Sequence, residues 1–247
     1  MLNEEQIEAK YHIVFVNKQR YYRESLVDKD FSLECTTPLS LSVKDKSFID
    51  TSWKQLLIDV CTEFLEDLPW KKGALLRYRP SWTAKRPFSE EPGKNLYQVG
   101  EGVYLYCNQT AQHACWLLRE ILQIFDVNLS QCDFIIHRCP SAEPLECRRF
   151  YEEKTKDTFR YYYVFLLKKS EEKAEQVLRN IEKLNRLLGF FSRSYDNFFL
   201  IDSNTVFSSY KSKFLDYLRY ERRVDEKNIE LADKYLTILG TFYKDIR

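Results

Sequence analysis

Residues 71–86, KKGALLRYRPSWTAKR, hold six cations and no acid. Lys71, Lys72, Arg77, Arg79, Lys85 and Arg86 are the residue type that neutralises phosphate, and Tyr78 and Trp82 stand between them as rings able to stack on an exposed base. The alternative is a solvated loop whose cations meet Glu90, Glu91 or other acids in the fold. Lys18, Arg20 and Arg23 would extend the patch if the fold brought them alongside.

Other spacings are weaker. His113 lies between Cys107 and Cys115, and His137 between Cys132 and Cys139, but neither follows a C-x2-C or H-x3-H pattern that four tetrahedral zinc ligands need. Cys115 also falls on the apolar stripe of its helix, where a buried thiol is ordinary. Glu152, Glu153 and Lys154, and again Glu171, Glu172 and Lys173, have the loose E-x-K spacing of a metal-dependent nuclease. At this charge density such triplets arise by chance. There is no phosphate-binding glycine loop, nucleophile elbow or H-E-x-x-H pair, and three histidines leave few bases for a nucleophile. No catalytic residue, metal ligand or cofactor is assigned.

The elements that must position these groups follow from periodicity. Ser52 and Gln55 have capping-box spacing, and Trp53, Leu56, Leu57, Val60, Cys61, Phe64 and Leu65 form one helical stripe ended by Pro69. The stretch 95–138 reads as a turn around Gly100 and Gly102, a strand Val103–Cys107, a helix capped by Asn108 or Thr110, and a strand at Phe134. Tyr11–Val16 and Leu39–Val43 read as strands, and so do Arg160–Leu167 and Asn197–Ile201. Residues 139–157 read as a polar loop or boundary. Ser170 caps a helix with Ala174, Val177, Leu178, Ile181, Leu184 and Leu188 inward, closed by Gly189. Phe207, Tyr210, Phe214, Tyr217 and Leu218, then Ile229, Ala232, Leu236, Leu239, Tyr243 and Ile246 behind an Asp225 cap, read as an antiparallel helical hairpin.

The 247 residues allow one large domain or two small ones, and 17 Tyr with 17 Phe imply a core of rings. A net charge of +1 argues for no partner class by itself. No apolar run is long enough to span a membrane, and the acidic N-terminus MLNEEQIEAK does not resemble a signal peptide. Seven unpatterned cysteines point to reduced thiols and a cytoplasmic protein. No internal repeat is evident.

Two resemblances follow from these residues. Thr51, Ser52, Trp53 and Leu56 in a helix, then Gly102, Val103, Tyr104 and Leu105 running into Asn108, Thr110 and the next helix, resemble a bacterial module with T-S-W-x-x-[LV] and G-x-Y-[IL]-x-T-N-x-S motifs. It belongs to uncharacterised restriction-associated and mobile-element proteins and covers about residues 39–138. Cys107 and Gln109 depart from its small polar residues. The resemblance implies a setting in genome defence or mobile-element biology and assigns no residue a role. Residues 212–246, including FLDYLRYERRVDEKNI, resemble the first helices of the core-binding domain of tyrosine recombinases, a hairpin that grips DNA in that family. No recombinase catalytic domain follows it up to Arg247.

The expectation is therefore an α+β fold, with short mixed sheets packed by amphipathic helices and a C-terminal helical hairpin. Residues 1–145 form an α+β module, and 146–247 a strand–helix–strand plus the hairpin. The expected function is non-enzymatic binding of nucleic acid or a nucleoprotein through 71–86. The alternative is a protein–protein adaptor, complex subunit or homo-oligomer using the aromatic helices 207–246, since tyrosine suits interface hot spots. A metal-dependent nuclease comes third.

Overall fold

The computed structural model describes residues 3–17, 19–27, 33–50, 52–83 and 85–246. Lys18, Thr51 and Ala84, on which readings above fall, lie outside the described residues. In chain order the elements are α1 (Glu4–Lys10), β1 (Ile13–Val16), β2 (Gln19–Ser25), β3 (Thr36–Val43), β4 (Lys46–Ile49), α2 (Trp53–Asp67), α3 (Lys72–Arg77), β5 (Phe88–Ser89), β6 (Leu96–Gly100) and β7 (Val103–Tyr106). They continue with α4 (Ala111–Ile124), β8 (Cys132–Arg138), α5 (Leu145–Tyr161), α6 (Glu171–Phe191), α7 (Asn204–Asp216) and α8 (Glu226–Ile246). The fold is α+β. A five-stranded sheet runs β1-β2-β8-β3-β4 and a three-stranded one β5-β7-β6.

The chain divides into two units, one holding 11–14 and 21–137, the other 1–10, 15–20 and 138–247. In the first, β2 and β8 pair antiparallel with Tyr22 opposite Ile136, and β3 and β4 form a hairpin with Ser40 opposite Ile49. Alternation along β8 turns Phe134 and Ile136 inward. Trp53 of α2 lies 5.1 Å from the Phe134 ring and donates its indole N–H to the Thr36 carbonyl. Ser52 caps α2 by accepting from Gln55 N–H at 3.1 Å. The reciprocal half of the expected capping box does not form. Gln55 instead donates to Asp59, and Asp50 accepts from Ser52 N–H.

Helix α4 is the centre of this unit. Thr110 rather than Asn108 caps it, accepting from His113 N–H at 3.3 Å. Ala114, Cys115, Leu118, Ile121 and Leu122 are buried along one stripe. Five such side chains represent roughly 10 kcal/mol of gross apolar burial, most of it offset by ordering the chain. Four strands escaped the sequence reading: β2, β4, β5 and β6. β6 lies in the segment read as a turn around Gly100 and Gly102. Gly102, at φ +60°, makes the β6–β7 turn.

The second unit differs more from expectation. Residues 145–161 are helix α5, not a loop, and Arg160–Leu167 is no strand but the end of α5 and a π-helical turn, Tyr162–Leu166. Asn197–Ile201 is likewise a 3-10 turn, Phe198–Leu200. The unit past 146 therefore contains no strand among its described residues. Gly189 sits inside α6, which runs on to a cap at Ser192.

A repeat absent from the sequence reading emerges here. α5, its π turn and α6 have the same plan as α7, its π turn and α8, at a constant offset of 55 positions from Tyr162–Leu166 to Tyr217–Glu221. Lys168 and Arg223 both take the left-handed conformation, at φ 54° and 53°. Ser170 and Asp225 both cap the next helix, and α6 and α8 each have 21 residues. Leu167 N–H bonds to the Tyr162 carbonyl as Arg222 N–H does to Tyr217. Each hairpin's turn packs on the far end of the other's long helix. Phe159 and Tyr162 meet Phe242, and Phe214 and Tyr217 meet Phe191.

Candidate nucleic-acid interface

Pro69 ends α2 and opens a 3-10 turn, after which α3 carries the first part of the basic stretch as a short helix rather than a loop. This splits the six cations. Lys71 forms an ion pair with Asp126 at 2.6 Å, and Lys72 donates to the Glu101 carbonyl at 2.7 Å, tying α3 to the β6–β7 turn. Arg86 reaches the Leu76 carbonyl at 3.4 Å. Arg77, Arg79 and Lys85 are exposed and make no side-chain hydrogen bond or ion pair among the described residues. Glu90 and Glu91, the acids expected to answer them, do not. Arg77 bends back along its own helix, so that a Cβ on Gly73 would lie 3.4 Å from its guanidinium.

The chain then leaves α3 and runs beside α4. Tyr78, Arg79, Pro80, Ser81 and Trp82 line a cleft of about 530 Å³, and Trp116, Arg119 and Glu120 of α4 form its other wall. Trp82 stacks on His113 with ring centres 4.5 Å apart and planes 4° from parallel, and it lies 6.4 Å from Trp116. His113 is 5.4 Å from Trp116. Two of these rings, Trp82 and Trp116, line the cleft, and His113 packs against both. Burial, with the Glu120 charge adding to it, pushes the Tyr78 phenol up to about 12, so it stays neutral and can donate. Arg119 is buried beside Cys115, whose thiol burial raises to about 11 against the guanidinium's opposing effect.

Of the residues expected to act together, the structure gathers Tyr78, Arg79 and Trp82 on the cleft. Lys71 and Lys72 serve as ties to the scaffold, and Arg77, Lys85 and Arg86 do not line the cleft. Trp116, Arg119 and Glu120 were missed. With His113 they recur at three- and four-residue steps on α4, one face off the apolar stripe, and that spacing was the available signal. Arg20 joins no basic surface. It is buried and donates through Nε and Nη2 to Glu143 at 3.1 and 2.9 Å, with its guanidinium 4.2 Å from the centre of the Tyr151 ring. Arg23 is exposed on β2.

The other candidates resolve into packing. His137 packs edge-on against Tyr21. Glu152 and Glu153 lie on α5, where both hold Lys156 at 2.7 and 3.1 Å, and Lys154 pairs with Glu4. Among the described residues no group of three or more His, Cys, Asp or Glu side chains converges as metal ligands would. No described helix is long and apolar enough to cross a membrane. Of the rings of 207–246, Phe207, Phe214, Phe242 and Tyr243 are buried, whereas Tyr220 is exposed. Exposed apolar residues of this unit include Tyr161, Phe165, Leu166 and Leu167 of the first hairpin and Tyr220, Leu231 and Ile246 of the second.

No protein-family model, curated protein or solved structure matches the chain.

Proposed function

We propose that the chain binds single-stranded nucleic acid along the cleft between residues 78–82 and α4, without itself performing chemistry on it. The observation that carries this reading is the meeting of Trp82 and Trp116 in a cleft that also holds Arg79, with His113 packed against both rings and Arg77 and Lys85 exposed and unpaired among the described residues. Rings give each base a sequence-tolerant platform, and cations follow the backbone. Duplex DNA presents no base face for stacking, so the rings favour an unpaired strand. Stacking on His113 occupies one face of Trp82, which limits that ring to its edge and remaining face.

Two further points support the ligand class. The resemblance of 39–138 to restriction-associated and mobile-element proteins agrees with a nucleic-acid setting, and that of 212–246 to a DNA-gripping hairpin agrees with the same class of ligand. Genome defence or mobile-element biology is the proposed setting.

The test is fluorescence anisotropy with a labelled oligothymidylate. Trp82→Ala and Arg79→Ala should each weaken binding, by about 5- to 30-fold for the ring given roughly 1–2 kcal/mol of stacking through one face. Affinity that survives both substitutions, or that belongs equally to duplex, overturns the assignment.

A further inference from the structure

We infer that the cleft selects guanine in the bound strand, with Glu120 as the residue that reads the base. This rests on the strand-binding reading above and goes beyond it, since stacking and phosphate contacts are blind to sequence.

Glu120 is out of place in a surface built only for phosphate. It lies one residue after Arg119 and four after Trp116, on the wall of the same cleft. Its carboxylate forms no hydrogen bond or ion pair among the described residues, although Arg79 and Arg119 line the cleft with it. It is exposed, and its charge is felt by the Tyr78 phenol. An ionised carboxylate only accepts hydrogen bonds and repels a phosphate brought close to it. Within a cleft that receives a strand, the group it can accept from is a base edge that donates.

The bases differ sharply in what they can offer. Guanine carries a ring N1–H and an adjacent exocyclic amino group, two donors side by side at the spacing of the two carboxylate oxygens. Adenine and cytosine each offer one amino group beside a bare ring nitrogen. Thymine and uracil offer one imide N–H flanked by two carbonyl oxygens, which a carboxylate repels. Only guanine satisfies both oxygens of Glu120. A base lying against Trp116 or the free side of Trp82 presents its edge, not its face, to a neighbouring helix position such as 120. Arg79 remains for the phosphate. The cleft volume, about 530 Å³, is within the range of small-ligand sites and holds one nucleotide.

The experiment uses the full chain and a labelled oligothymidylate carrying one central guanine, hypoxanthine or adenine. Bidentate recognition predicts the guanine strand to bind about tenfold tighter than the adenine strand, with hypoxanthine, which lacks the amino group, between them. In Glu120→Ala the three strands should bind alike, and affinity for unsubstituted oligothymidylate should rise as a repelling charge is lost. Glu120→Asp, which keeps the carboxylate on a shorter arm, should retain part of the preference. GMP alone should bind more weakly than the guanine strand, and equal affinity overturns a strand as the ligand. If all strands bind wild type equally, or the preference persists in Glu120→Ala, the guanine inference falls while strand binding stands. If no strand binds, or Trp82→Ala and Arg79→Ala bind as wild type does, the strand-binding reading falls and takes this inference with it.

Discussion

The salt dependence of binding separates the cations that the sequence counts from those that the fold leaves available. Six cations lie in 71–86. Lys71 is held by Asp126 and Lys72 by the Glu101 carbonyl, and Arg86 leans on the Leu76 carbonyl. Among the described residues three remain without a side-chain partner: Arg77, Arg79 and Lys85. For single strands the logarithm of affinity falls with the logarithm of salt at about −0.7 per phosphate neutralised, so three cations give a slope of about −2 and six give about −4. Between about 50 and 200 mM salt the first loses roughly 16-fold in affinity and the second roughly 300-fold. Anisotropy titrations of labelled oligothymidylate across that range measure the slope directly. Removing two of the available cations, as in the Arg77→Ala/Arg79→Ala variant, should bring the slope to about −0.7. Lys71→Ala/Lys72→Ala should leave it near −2, because those ammonium groups are already engaged. A wild-type slope near −4, or equal losses in the two double variants, refutes the division of the stretch into ties and contacts.

Stability gives further tests. Arg20 and Glu143 are a buried pair with side chains 5% and 2% exposed, so Glu143→Leu should cost about 3–5 kcal/mol in urea unfolding, as a buried guanidinium loses this carboxylate. Arg20→Met/Glu143→Leu should be less destabilised than Glu143→Leu alone, and a double variant worse than both singles defeats that account. Burial raises the Cys107 and Cys115 thiols to about 11 and Cys147 to about 12, while unfolded thiols ionise near 8.5. The folded state therefore keeps protons that the unfolded state loses, so this stability is full below about pH 8.5 and declines from there towards pH 11. The urea midpoint should fall over that window, and less steeply in Cys107→Ala/Cys115→Ala. For the same reason a thiol reagent at neutral pH should label exposed Cys35 first, and the six buried cysteines only on unfolding. Lys168→Gly and Arg223→Gly should each add about 0.5–1 kcal/mol by relieving a left-handed Cβ, measured by thermal melting, with the same sign at both repeated positions.

Much of the architecture was legible where a stripe and a cap coincide. α2, α4, α6 and α8 each pair one buried face with a Ser, Thr or Asp at the start, and all four were read. The failure at RYYYVFLL has a clear cause. Tyr162 and Tyr163 face the core, but Tyr161, Phe165, Leu166 and Leu167 are apolar and face out. A helix apolar on both faces loses its 3.6-residue signature and reads as a buried strand. The repeat was hidden because its equivalent positions share character rather than identity: Lys168 with Arg223, Ser170 with Asp225, Tyr163 with Leu218. At the site, charge density and rings marked Tyr78, Arg79 and Trp82. Their partners on α4 were passed over despite their helical spacing, because Trp116 and Glu120 stand next to a strong apolar stripe that explains the helix without them.

The repeat also supplies a comparison within one chain. Two hairpins share a backbone to the position of each left-handed residue, so differences between equivalent side chains are not demanded by that backbone. The inward set agrees: Phe159 and Phe214, Tyr163 and Leu218, Val177 and Ala232, and Ile181 and Leu236 are all buried. The outward set does not. Tyr161, Phe165, Leu166 and Leu167 in the first hairpin correspond to Asp216, Tyr220, Glu221 and Arg222 in the second, all exposed. The second hairpin thus folds with charges at three of the four places where the first carries apolar side chains. Folding of the hairpin is therefore not what keeps Tyr161, Leu166 and Leu167 apolar. The same reasoning applies to the cleft in the other unit. Lys71 and Lys72 brace a turn and so answer to the fold, whereas Arg79 and Glu120 brace nothing among the described residues, and their identities answer to whatever the cleft receives.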